Sequence, residues 1–165
     1  MQRGHSSRRR VYHHHSMLLA ALRRGLLPLT WLWAASIPAA AFAASRAPAG
    51  SIGYGFAATI YAAASLLCHQ RPERSFHLWA VQLPVCARCA GVYLGAACAT
   101  LVRTRRIRRP VAFVLAASAP AAMTLVYEWS TGAMPANWIR ALTGLAIGGS
   151  VMLLLAGELR TSEVN

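Results

Sequence analysis

Five stretches of the chain carry almost no charge: residues 26–44, 47–67, 111–127, 141–157, and 85–102, which only Arg88 interrupts. Each lies close to the roughly 20 residues that cover the hydrocarbon core of a bilayer. A water-soluble domain of 165 residues has too little interior to bury five such runs. A mean hydropathy of +0.41, with 56% hydrophobic and only 13% charged residues, agrees. The fold class that follows is all-α, an integral membrane helical bundle.

The charges between the runs orient it. All seventeen basic residues are arginine, aspartate is absent, and the net charge is +13. In a soluble chain that excess would point to nucleic acid. Here the arginines lie between apolar runs, no nucleic-acid-binding motif occurs and no aromatic residue interleaves them. The expected partner is therefore the lipid bilayer and not nucleic acid; nothing in the sequence names a protein partner.

Arg103, Arg105, Arg106, Arg108 and Arg109 form a dense basic loop that the positive-inside rule holds on the cytoplasmic side, so residues 85–102 run from outside to inside. With residue 45 also outside, residues 47–67 cannot cross once. Gly50, Gly53 and Gly55 weaken them as a span, and residues 52–67 are expected as an interfacial or re-entrant helix. This arrangement keeps twelve arginines inside and five outside, whereas letting 47–67 cross would give ten and seven and export the basic loop.

The expected organisation is a basic cytoplasmic tail over 1–25 and a membrane domain over 26–159, followed by a cytoplasmic tail at 160–165. The domain has about four spans (26–44, 85–102, 111–129 and 139–157) and an extracytoplasmic loop at 68–84. Both termini are cytoplasmic in the cell membrane. The run 26–44 also fits a signal-peptide core, with Arg23-Arg24 ahead of it and the small-x-small pattern Ala41-Phe42-Ala43 at its end. Either reading leaves residue 45 outside. Trp129 and Trp138 bracket the last outer loop as interfacial anchors. The pairs Gly91/Gly95 and Gly144/Gly148 let helix backbones approach closely.

Chemistry concentrates between Cys68 and Cys89, which hold three of the four cysteines, two of the six histidines and three arginines. Pro84 precedes a helix that carries Cys86 and Cys89 on one face of its first turns. The 17 residues between Cys68 and Cys86 form a loop long enough to fold back and bring three sulfurs together. A fourth ligand from His69 or His77 would complete a Cys3His set, the composition of many closed zinc sites. Haem attachment does not fit, because Ala90 follows the pair where that motif requires histidine.

The same atoms support a second chemistry. A Cys-x-x-Cys at a helix start beside Arg88 is placed to lower a thiol pKa, and the outer face is where disulfide traffic occurs. That makes a membrane thiol-disulfide oxidoreductase passing electrons from Cys86 and Cys89 to quinone an alternative. A non-catalytic scaffold with a structural disulfide is a third. Glu128 and Arg140, at the outer ends of the last two spans, are expected to pair beside this loop. Arg74, Arg88 and Asn137 are further neighbours, Glu73 and Arg74 are expected to be solvated, and Cys98 is expected in core packing.

Cys68-His69-Gln70, Pro72, Arg74-Ser75-Phe76, then Pro84-Val85-Cys86-Ala87-Arg88-Cys89 with Gly91, Tyr93 and Gly95, resemble the signature of DUF2085, a family of small prokaryotic membrane proteins. Asn137, Arg140, Thr143 and Gly144 are similar to its second motif, and the resemblance covers roughly residues 55–150. It implies a multi-pass fold with Cys68, His69, Cys86, Cys89 and Arg140 in the family pattern. His77 falls outside that pattern, so the resemblance favours His69 as the nitrogen ligand. The family carries an aspartate in the third span where this chain has Thr124-Leu125 and, one turn on, Glu128. The resemblance implies no reaction.

Overall fold

The computed structural model describes residues 25, 26, 28–102 and 107–164, with side chains as far as residue 157. Residues 28–46 form helix α1. It is followed by α2 (Ile52–Ser65), a 3-10 turn (Pro72–Arg74), a hairpin of β1 (His77–Leu78) and β2 (Val81–Gln82), α3 (Ala87–Ala99), α4 (Pro110–Thr131) and α5 (Asn137–Val164). The expected 1–24 part of the basic tail and Arg103, Arg105 and Arg106 lie outside the described residues.

α4 and the Asn137–Gly157 part of α5 are long and apolar enough to cross a membrane, with mean hydropathies of 1.6 and 1.8. Their apolar side chains are turned outward: Val111, Leu115, Met123 and Val126 on α4 are all exposed. A soluble core helix buries such residues, whereas a lipid-facing helix presents them, so this surface belongs in hydrocarbon.

The seam of the bundle is α3 against α5. A Cβ on Gly91 would lie 2.0 Å from the Ala141 carbonyl oxygen, and one on Gly95 would lie 2.2 Å from that of Leu145. From the other side, Gly144 and Gly148 would meet the carbonyl oxygens of Arg88 and Val92 at 2.1 and 1.9 Å. Both glycine pairs therefore serve one contact in which only backbone fits, the packing that small-x-x-x-small patterns permit. Because 91 meets 141 and 95 meets 145, the two helices run parallel. α4 packs beside α5 and runs in the opposite sense, with Thr124 bonded to Arg88 and Glu128 to Arg140.

α1 runs antiparallel to α3. Trp31 Nε1 donates to Thr100 Oγ1 at 3.1 Å, the Trp33 and Tyr93 rings meet edge-to-face at 5.8 Å, and Ile37 and Ala41 reach a core shared with Cys68, Leu83 and Val85. One end of the bundle thus gathers the end of α1, α2, the 66–86 loop, the starts of α3 and α5 and the end of α4.

Three expectations change. The span expected at 85–102 is helical only over Ala87–Ala99, about 20 Å at 1.5 Å per residue. Extended Cys86 starts it, and i to i+3 bonds from Leu101 and Val102 tighten its last turn. The expected loop 68–84 contains a small antiparallel hairpin, so the fold is mostly helical and not purely so. The tail expected at 160–165 continues α5 through Val164.

Candidate metal centre at one end of the bundle

Ser51 caps α2 by accepting from the Tyr54 N–H at 3.2 Å, and the helix ends where the Cys68 N–H bonds the Ala64 carbonyl at 2.9 Å. Gln70, at a φ of 48°, then turns the chain back. Its carboxamide nitrogen donates to the carbonyls of Tyr61 and Pro84, both at 2.8 Å, tying the two mouths of the loop together. Gln82 answers by donating to the Gln70 carbonyl at 2.5 Å and to Ser75 Oγ at 3.3 Å. The Tyr61 hydroxyl donates to the Gln82 carbonyl, and burial pushes its pKa up, which keeps the donor proton in place. Asn137 anchors the loop to the start of α5 by donating to the Ser75 carbonyl at 3.1 Å.

These bonds fix where the sulfurs lie. The Cys86 N–H donates to Cys68 Sγ at 3.1 Å, while Cys89 falls in the first turn of α3. The sulfurs of Cys68, Cys86 and Cys89 all lie within 4.8 Å of one another, and none is in a disulfide. A tetrahedral ion with metal–sulfur bonds near 2.3 Å holds its sulfurs about 3.8 Å apart, within reach of small side-chain rotations. Cys86 sits ahead of α3, outside the candidate spans. Its thiol pKa is lowered, first because the Cys89 thiol donates to it, with burial opposing and the Cys89 backbone, Cys68 and the Arg88 backbone assisting. At Cys86 the arrangement thus favours thiolate, the form that binds metal and also the form that exchanges disulfides.

A cavity of about 360 Å³ opens beside the sulfurs, and His69, Arg71 and Arg74 share its lining with the three cysteines. His69 comes to the wall but does not join the group of close donors. His77 lies exposed on β1. The donor set present is therefore three thiols at one corner of an open cavity, which suits a borderline-soft ion such as Zn²⁺.

An ion cluster that is half-buried at Arg74 and Glu128 and buried at Arg140 adjoins the cavity. Glu128, with its side chain 10% exposed, receives Arg140 on one oxygen at 3.0 Å and Arg74 on the other. Gly132, at a φ of 69°, ends α4 by bonding its N–H to the Glu128 carbonyl at 2.9 Å, which fixes Glu128 on the final turn. Glu128 and Arg140 pair as the sequence suggested. Arg74 is not the solvated loop residue that was expected, because the loop folds back onto α4. Arg88 turns to Thr124 Oγ1 at 2.9 Å, and Cys98 is exposed instead of packed in a core.

The profile of the family described as "Predicted membrane protein (DUF2085)" matches residues 68–154, slightly more than half of the chain. The chain belongs to the DUF2085 family. Uncharacterized archaeal proteins are similar to it. One from Methanocaldococcus jannaschii is 53% identical over 36 residues, covering 22% of this chain and 23% of the relative. Another, from Methanothermobacter thermautotrophicus, is 53% identical over 30 residues, covering 18% of this chain and 27% of the relative. The chain thus spans only about a quarter of the length of these curated relatives. No solved structure matches it.

The DUF2085 match begins at Cys68 and includes every residue of the sulfur group and of the ion cluster. Sequence reasoning missed the structural duties of Gln70, Ser75 and Gln82. Gln70 and Ser75 stood in the motif, but a glutamine in a loop gives no sign that its carboxamide will replace missing backbone pairing.

Proposed function

We propose that this chain is a multi-pass membrane protein that holds a zinc ion at the extracytoplasmic end of its bundle, with Cys68, Cys86 and Cys89 as thiolate ligands. The single observation that carries this reading is the convergence of three free sulfurs within 4.8 Å, from two elements 18 residues apart, with a backbone N–H aimed at one of them. Neutral thiols gain little from such convergence, whereas an ion explains both the spacing and the N–H donor. His69, on the wall of the same cavity, is the protein side chain nearest in kind to a fourth ligand.

In this reading α1 and α3 cross the membrane alongside α4 and α5, and α2 lies on the outer surface. Ile52, Tyr54 and Phe56 are exposed along α2, and Leu66 and Leu67 follow it, which suits a helix resting in the interface. The excess of arginine in the 103–109 loop supports a cytoplasmic location for both termini.

Elemental analysis of protein purified under reducing, chelator-free conditions tests the metal reading. One zinc per chain is expected, with a clear loss in Cys86→Ser; absence of stoichiometric metal in the unmodified protein refutes it. The free Cys86 and Cys89 thiols on the cavity wall favour one rival, thiol-disulfide exchange with quinone as electron acceptor. Trapping by alkylation separates the two: redox cycling predicts that the pair oxidises when quinone is supplied, whereas a zinc site keeps both thiols reduced and protected.

A further inference from the structure

We infer that the cavity beside the three thiols is a binding site for a small oxyanion, a carboxylate or phosphate, that enters the ion's fourth coordination position. This deepens the zinc reading and rests on it. Three protein ligands with an open position are the composition of zinc sites that take water or substrate, while closed structural sites carry four. Here the fourth direction faces a cavity of about 360 Å³, a size suited to a small molecule, and among the described residues no fourth ligand atom joins the three sulfurs.

The lining selects the charge of the occupant. It contains Arg71 and Arg74 and no carboxylate. Arg74 gives one terminal nitrogen to Glu128, yet its Nε is buried without a hydrogen-bond partner. Guanidinium groups stay charged at every accessible pH, and their forked donors match carboxylate and phosphate oxygens. An oxyanion in the cavity would meet the guanidinium groups of Arg71 and Arg74 and the open coordination position together. The exposed Leu67 beside them lets the mouth open toward the lipid headgroup region, so a free anion and an anionic lipid headgroup offer the same chemistry.

The test uses the full chain loaded with cobalt in phosphatidylcholine nanodiscs, where visible absorption reports the ion's coordination. Acetate and inorganic phosphate should shift the spectrum saturably, and the neutral isostere acetamide should not. Arg71→Gln, at an exposed position outside the ion cluster, should weaken the response at least about tenfold, and Arg74→Gln should do the same in any preparation that folds. Discs of phosphatidylglycerol distinguish the sources: a spectrum already shifted before anion is added identifies the headgroup, and a shift only on addition identifies a soluble anion.

Indifference to every anion in both lipids, or an equal response to acetamide, overturns the inference while the metal reading stands. Failure of the metal reading shows earlier, as absence of stoichiometric cobalt. Calorimetry of phosphate with the metal-free protein then reads the arginines alone, and no binding there overturns the anion site as well.

Discussion

The α3–α5 seam and the 66–86 loop are joined through Glu128, which holds Arg140 of α5 and Arg74 of the loop, yet they are held by opposite means. In the seam, Gly91, Gly95, Gly144 and Gly148 remove side chains so that two backbones touch. In the loop, Gln70, Gln82, Ser75 and Asn137 use side chains to satisfy backbone groups that no helix or sheet pairs. Seam packing is dense and has little tolerance for added volume. The loop has room around it and depends on particular polar atoms. A rigid seam carrying Cys86 and Cys89, faced by a hydrogen-bonded loop carrying Cys68, is how a short chain can hold three sulfurs in register.

The largest expected effect comes from the point where the two regions join. Glu128→Ala leaves Arg140, only 4% exposed in its side chain, without its carboxylate and frees Arg74 from α4. A loss of about 3–5 kcal/mol is expected, as for one partner removed from a buried pair. Unfolding in nanodiscs should register it, and an unchanged midpoint would show that loop and seam are not coupled through this residue.

Breaking the seam alone should cost somewhat less. Gly148→Ala places a methyl 1.9 Å from the Val92 carbonyl oxygen, so the helices must separate, at about 1–3 kcal/mol. The separation should be visible as lowered thermal stability. Zinc content should hold in the fraction that stays folded, because neither Gly148 nor Val92 supplies a ligand.

Loosening the loop alone should cost less again. Gln70→Ala deletes the two bonds that tie Tyr61 to Pro84, worth about 1–2 kcal/mol together. Its sharper signature is chemical: alkylation of Cys68 should accelerate while seam-dependent stability barely moves. The smallest effect has the opposite sign. A Cβ on Gly55 meets nothing within 4 Å, so Gly55→Ala should stabilise α2 by up to about 1 kcal/mol in the same unfolding assay.

The two regions also differ in how far the sequence disclosed them. Glycines four residues apart are a local pattern, so close backbone approach at each pair could be read, but that the two pairs face one another came only from the fold. Glu128 and Arg140 were paired by counting which helix ends share a face. The gathering of Cys68, Cys86 and Cys89 followed from soft donors at a helix start and a loop long enough to return. The hairpin was not legible, because its turn uses Trp79 and Ala80 at φ values of 52° and 61° where asparagine or glycine is usual. Arg74 escaped for another reason. Its partner Glu128 is 54 residues away, and only the folded loop brings them together. The C-terminal end of α3 was overestimated because apolar residues continue past the point where its helical bonds tighten into a 3-10 turn.

X-ray absorption at the zinc edge on the purified, reduced protein tests the central claim most directly. Three sulfur scatterers near 2.3 Å and one lighter oxygen or nitrogen neighbour are the predicted first shell, with sulfur falling to two in Cys68→Ser. A shell without sulfur, or zinc bound equally well in the Cys68→Ser, Cys86→Ser and Cys89→Ser proteins, would contradict the assignment of these thiols as ligands.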